Sequence, residues 1–150
     1  MSINIDLILL ELEKLPNYDT QIMLQRTEID DPFYGTGKVL ELKHAEEEFI
    51  HPQFDIPYTN NIIKELNMYR TRLMKMKPKT CYTYHLDLTK RMHIPLITNE
   101  KCMFIIDDVV HRYPADGNHY LIDTTKMHTA INASTKNRIH LVGCVKEDHH

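Results

Sequence analysis

The feature that most constrains this chain is a succession of short apolar runs after residue 70: RLMKM, TCYTYHLDL, RMHIPLIT, CMFII, NHYLID, MHTAIN and NRIHLVGCV. Turn-forming residues separate them, at Lys77-Pro78, Thr98-Asn99, Asp116-Gly117-Asn118 and Ser134 to Asn137, where such side chains and glycine favour chain reversal. Many short strands without intervening helices predict a β-sandwich, a jelly roll or a small barrel.

The first part of the chain reads differently. Residues 1–15 have the pattern of a short amphipathic helix that Pro16 ends. DPFYGTGKV, Asp31 to Val39, is a two-glycine loop without the Lys-Ser or Lys-Thr ending of a phosphate-binding loop. HAEEEFI reads as a solvated turn or short helix. In TNNIIKELNMYR, the residues Ile62, Ile63, Leu66 and Tyr69 recur at helical spacing, with Thr59 or Asn60 placed to cap. The expected organisation is one domain over residues 1–150, with a mostly helical and loop part (1–67) packed on a β-core (68–146).

With 150 residues, the chain suits a single core. Its 18 basic against 21 acidic residues give no electrostatic reason to expect nucleic acid or an anionic membrane as partner. Cys81, Cys102 and Cys144 show no C-x-x-C spacing, which predicts reduced thiols and a cytoplasmic setting. The opening MSINIDLILLELEKL has too short an apolar core for a secretory signal, and no run reaches membrane-spanning length. Of the ten histidines, His149 and His150 close the chain and are set aside.

The stretch YHLDLTKRMHIPLIT carries polar groups inside a strand-like pattern. His85 and Asp87 are two apart, so on a strand they share a face, while Tyr84, Leu86 and Leu88 share the other. Alone, H-x-D also describes an ordinary solvated strand face. His128, 43 residues later, supplies a second imidazole. Two histidines and one carboxylate can occupy one face of an octahedral metal and leave three positions open, as non-haem Fe(II) oxygenases require. Ten residues further, Arg138 stands near the start of a strongly apolar strand. A buried arginine needs an anionic partner, and its planar fork matches a carboxylate such as the distal one of 2-oxoglutarate. A strand-end arginine reaching solvent is the alternative. Arg70, Arg72 and His111 read as solvated surface; Tyr84, Leu96, Phe104 and Ile139 read as core.

In their order and spacing, KPKTCYTYHLDLTKRMHIPLIT, YLIDTTKMHTAIN and NRIHLVGCV resemble the aspartyl/asparaginyl β-hydroxylase family of Fe(II)/2-oxoglutarate-dependent oxygenases, over about residues 68–145. The resemblance implies a mainly β fold, a double-stranded β-helix (jelly-roll, cupin-like) core with flanking N-terminal helices. It implies His85, Asp87 and His128 as catalytic metal ligands and Arg138 as the holder of the oxoacid's distal carboxylate. His93 matches a histidine near the other carboxylate, with Arg91 beside it. Asp123 matches an acidic position of structural or supporting role. The implied cofactors are Fe(II) and 2-oxoglutarate, with ascorbate as an accessory reductant. The implied partners are dioxygen and a polypeptide side chain or small molecule as substrate. One departure stands out: where animal members place a serine that helps grip the distal carboxylate, this chain has Met74, so either Tyr82 or Arg72 helps Arg138 instead or the oxoacid sits slightly differently. YHLDLTKRMHIPLIT then reads as two strands with a turn at Thr89-Lys90. A metal- or ligand-binding cupin-like barrel without oxygenase turnover is the alternative function.

Overall fold

The computed structural model describes residues 2–37 and 42–146; Lys38 and Val39 of the expected loop, and His149 and His150, lie outside them. Helix α1 spans Ile5–Leu12, and the Asn4 side chain caps it by accepting the Leu7 N–H at 3.1 Å. It is shorter than the expected 1–15 because Glu13, Lys14 and Leu15 already close tighter three-residue turns. Three short strands follow, β1 (Gln21–Met23), β2 (Gln25–Arg26) and β3 (His51–Pro52), so this part of the chain holds more than helix and loop. Helix α2 spans Pro57–Glu65 and begins earlier than an N-cap at Thr59 or Asn60 would place it. Pro57 suits the first helical position, where no N–H is needed. The capping is done from a distance: the Glu11 carboxylate of α1 accepts the Tyr58 and Thr59 N–H groups at 2.9 and 2.7 Å, and the Thr59 hydroxyl at 2.7 Å.

The rest is strand: β4 (Met68–Met76), β5 (Thr80–Cys81), β6 (Arg91–Ile97), β7 (Cys102–Ile106), β8 (Val109–His111), β9 (Tyr120–Ile122), β10 (His128–Asn132) and β11 (Arg138–Val145). They form a five-stranded sheet in the order β1-β4-β11-β6-β9 and a four-stranded sheet in the order β5-β10-β7-β8, with β2-β3 as a separate ribbon. Every pairing is antiparallel. This is the expected mainly β, jelly-roll core with flanking helices.

Alternation along the central strands sorts side chains onto two faces. On the outer face Leu73, Leu141 and Ile94 stand side by side across β4, β11 and β6, fully buried together with Ile8, Ile56, Ile62 and Ile63 from the helical layer. Burying each such side chain contributes roughly 1.5–3 kcal/mol. The inner face meets the second sheet through a smaller cluster of Met76, Phe104, Ile106, Ile122 and Ala130.

Two bulges adjust this face. Between Arg72 and Tyr69, β4 takes three steps where β11 takes two from Val142 to Cys144. Met68 and Leu73, opposite in parity, consequently both reach the outer core. Arg70 adopts φ +48° at this point. Gly143 fits here because a Cβ would come within 2.6 Å of Met68 Cε and 2.8 Å of Thr71 Oγ1. The second bulge, at Ile139/His140, accommodates Pro95 in β6 beyond the end of the β9 pairing. Among the described residues no helix is long and apolar enough to cross a membrane, and the three cysteines are free thiols.

Candidate metal centre and anion cavity

The segment carrying His85 and Asp87 departs from the expected strand. Only Thr80–Cys81 forms a regular strand, and His85 joins β10 through an isolated bridge with His128. Reciprocal backbone bonds of 3.1 Å link these two histidines, and the Asp87 N–H donates to Thr124 O at 2.8 Å. The segment is thus stitched to β10 at His85 and to the turn between β9 and β10 at Asp87, the two points that carry ligand-type side chains. Tyr84 does not lie in the core as expected: it is 52% exposed, and Leu86 and Leu88 on the same face are 58 and 72% exposed. Leu96 and Phe104 are buried, as expected.

The stitching brings His85, Asp87 and His128 together, with one donor atom from each lying within 4.8 Å of the others. His85 Nε2 lies 3.7 Å from Asp87 Oδ1, and His128 Nε2 lies 3.5 Å from Asp87 Oδ2. The rings are 4.3 Å apart. His85 Nδ1 faces Thr83 O at 2.7 Å and His128 Nδ1 faces Lys126 O at 2.8 Å. A carbonyl only accepts, so each Nδ1 carries a proton, and Nε2 is the ring nitrogen left to face a metal. Backbone carbonyls fix ligand histidines of metal sites in the same way. Two imidazoles and one carboxylate, held in place by these backbone contacts, make a donor set that can hold a divalent metal ion. The Asp123 side chain accepts hydrogen bonds from the Thr125 N–H and hydroxyl. It shapes the turn that delivers His128.

A cavity of about 670 Å³ opens at this cluster and runs between the two sheets. Arg138 lines it and is 2% exposed, with its guanidinium 5.5 Å from the Phe104 ring centre. Its Nε and Nη1 are buried and have no hydrogen-bond partner. Burial pushes Arg138 below the usual arginine range, partly offset by Tyr82 and Cys102. Tyr82 lines the same cavity. Met74 lines the cavity opposite His140.

His93 also lines the cavity, with its Nδ1 3.0 Å from Nδ1 of His140. Burial, then the charges of Arg138, Arg72 and Arg91, hold His93 well below the usual histidine range. Burial does the same to His140, aided by Arg138. Both rings are neutral at pH 7.

Arg91 reaches the cavity but is already engaged. It donates to Thr89 Oγ1, to Cys144 Sγ at 2.9 Å, and forms an ion pair with Glu46 at 3.3 Å. Glu46 was expected to lie in a solvated turn; the 3-10 turn Glu46–Glu48 instead buries it. Burial opposes its charge, yet the Cys144 thiol and the Arg91 and Arg70 guanidiniums hold it below the usual carboxylate range. Arg70 pairs with Glu46 at 3.0 Å and donates to Gly35 O and Gly37 O at 2.7 and 2.8 Å. Neither Arg70 nor Arg72 is solvated surface: they are 2 and 8% exposed. The β4 bulge turns Arg70 to the glycine loop and leaves Arg72 facing the cavity. Sequence reasoning missed Glu46, His140 and the burial of Arg72.

The family model described as aspartyl/asparaginyl beta-hydroxylase matches residues 3–147. No curated protein matches the chain. Among solved structures it is similar to the plu4264 protein of Photorhabdus luminescens, at 14% identity and TM-score 0.43, over 51% of this chain and 62% of that one. It is similar to a cupin domain from Bordetella pertussis at 15% and 0.44, over 52 and 81%. A cupin 2 conserved barrel domain protein from Salinispora arenicola gives 10% and 0.42, over 51 and 61%. The chain thus spans under two thirds of the Photorhabdus and Salinispora proteins. Family membership rests on the match over 3–147, twice the reach of the resemblance carried by the motifs alone: the chain belongs to the aspartyl/asparaginyl beta-hydroxylase family.

Proposed function

We propose that the protein is an Fe(II)- and 2-oxoglutarate-dependent dioxygenase that hydroxylates an aspartyl or asparaginyl side chain or a small molecule. The observation that carries this reading is the pairing, in one cavity, of a converged His85–Asp87–His128 donor set with a buried guanidinium, Arg138, whose Nε and Nη1 have no partner. A metal- or ligand-binding barrel without oxygenase turnover has a use for the first feature and none for the second.

Bound iron, with the oxoacid and dioxygen, would supply the oxidation that replaces a substrate C–H by C–OH while the oxoacid becomes succinate and carbon dioxide. The chain's own part is to bind, orient and compensate charge. His85, Asp87 and His128 would hold the metal, with Asp87 offsetting part of its charge. The Nδ1 contacts with Thr83 O and Lys126 O leave both Nε2 atoms to face the metal without rearrangement. Arg138 would receive the distal carboxylate of the oxoacid, satisfying donors that otherwise stay unpaired at a cost. His93, neutral and tied to His140, can give or take a hydrogen bond beside the metal without adding positive charge. Arg91, compensated by Glu46, would support the wall of the cavity.

The test is an anaerobic titration with Fe(II) and 2-oxoglutarate, followed by measurement of succinate after admitting air. Binding of both and succinate release are expected, with Arg138→Ala weakening 2-oxoglutarate about 100-fold, the worth of a charge-assisted bidentate contact. Absence of 2-oxoglutarate binding, or an Arg138→Ala protein that behaves as wild type, would overturn the reading.

A further inference from the structure

Two arginines among the described residues keep buried, unpartnered guanidinium nitrogens. One is Arg138; the other is Arg72, again at Nε and Nη1. Buried charged donors left without partners are costly, so native sites of this kind await a ligand. Arg72 lines the cavity from β4. Its neighbours Arg70 and Arg91 share the single carboxylate of Glu46, at 3.0 and 3.3 Å. Arg72 therefore has no counter-ion of its own. Burial first, then the charges of Arg70 and Arg91, push it down to about 9, which still leaves it charged at neutral pH.

The two orphan cations lie at different levels. Arg72 stands opposite Val142, whose other neighbour is His93, whereas Arg138 stands opposite Met76, four residues along β4. That separation is about 13 Å along the strand. Both arginines act on His93. β4 and β11, which carry them, lie on the same side of β6 and His93, so the two arginines are separated along the strands rather than across the sheet. With the oxoacid's distal carboxylate on Arg138, the cation four residues away along β4, at Arg72, is left for a second anion.

We propose that Arg72 clamps a carboxylate carried by the substrate, so that the substrate is a free organic acid or an acidic side chain of a peptide. This rests on the oxygenase reading, because that reading assigns Arg138 to the oxoacid. The planar fork of arginine suits a carboxylate bound through two parallel hydrogen bonds.

The experiment loads the full chain with Mn(II) and saturating 2-oxoglutarate and titrates acetate, following relaxation of its methyl protons by the metal. L-aspartate and an N-acetylated, C-amidated aspartyl residue are the two further probes that separate a free acid from a peptide side chain. Arg72→Gln should weaken acetate about tenfold or more, change 2-oxoglutarate affinity by less than about threefold, and melt, metal-free, at or above the wild-type temperature. The last result follows because a buried, unpaired charge is removed. Arg72→Lys should retain part of the acetate affinity. Unchanged acetate affinity in Arg72→Gln, a loss of 2-oxoglutarate affinity matching that of Arg138→Gln, or a lowered melting temperature would overturn the proposal alone. A wild-type chain that binds neither Mn(II) nor 2-oxoglutarate would overturn the oxygenase reading beneath it.

Discussion

The two faces of the five-stranded sheet are built from the same strands by the same alternation, and they differ in almost every other respect. Outward, β4, β11 and β6 present Leu73, Leu141 and Ile94 to the helical layer. Inward, the same three strands present Arg72, Arg138 and His93 to a cavity, and each is buried. One face stabilises the fold through apolar burial; the other holds cations and neutral histidines that are poorly served until a ligand arrives. Binding sites are bought with stability in this way, and here the exchange takes place across the thickness of a single sheet.

Breaking a compensated part of the inner face should have the largest effect. Glu46→Ala leaves Arg70 and Arg91 buried without their shared carboxylate, and removing one member of such a set costs roughly 3–5 kcal/mol. Urea unfolding measures it; a loss below about 1 kcal/mol would mean that water reaches the cluster. On the outer face, Leu141→Ala should cost about 2–5 kcal/mol through the cavity left between Leu73 and Ile94. Its metal affinity at low temperature, measured by titration, should remain within about threefold of wild type, because β11 separates Leu141 from the cavity. Arg138→Met makes the reverse prediction: 2-oxoglutarate binding falls about 100-fold while stability holds or rises, since the variant replaces an unpaired buried charge by an apolar side chain of similar length. If Leu141→Ala and Arg138→Met both lost stability alike, the two faces would not be functionally distinct.

Much of the β-core was legible because alternation and turn residues are local signals. The runs around Met92, Phe104, Ala130 and Leu141 became β6, β7, β10 and β11 where the pattern placed them. The grouping of His85, Asp87, His128 and Arg138 was legible only through their order and spacing as a set. What was not legible depends on partners far away in sequence. Nothing local distinguishes Glu46 from Glu47 and Glu48, yet only Glu46 meets two arginines. Alternation puts Arg72 on the face opposite Leu73 but cannot say that a second sheet covers that face, which is why Arg72 read as surface. The α2 cap was misplaced because its acceptor, Glu11, sits 48 residues from Thr59. The segment around His85 looked like a strand because side-chain alternation survives in an extended chain that bonds its neighbour at only one bridge.

The smallest of these effects is a pH dependence confined to the inner face. His93 and His140 are held neutral well below their ordinary value of 6.5 by burial, assisted by the flanking arginines. In the unfolded chain both titrate near 6.5, so below that pH the unfolded state binds more protons than the folded one. Their contribution is therefore fully present above about pH 6.5 and declines as the pH falls, by up to about 1.4 kcal/mol per pH unit for each ring. The depressed carboxylates Glu11 and Glu46 respond only below their ordinary value of 4.5 and leave the window between clear. Urea unfolding at pH 7.5, 6.5 and 5.5 should show the decline, and His140→Gln, which keeps a hydrogen-bonding group beside His93 but cannot titrate, should remove about half of the slope. A flat profile down to pH 5.5 would mean that both rings take up a proton in place, which the arrangement of Arg138, Arg72 and Arg91 around His93 opposes. Leu73 and Leu141 on the outer face contain nothing that titrates, so the part of the slope that His140→Gln removes originates on the cavity side of the sheet.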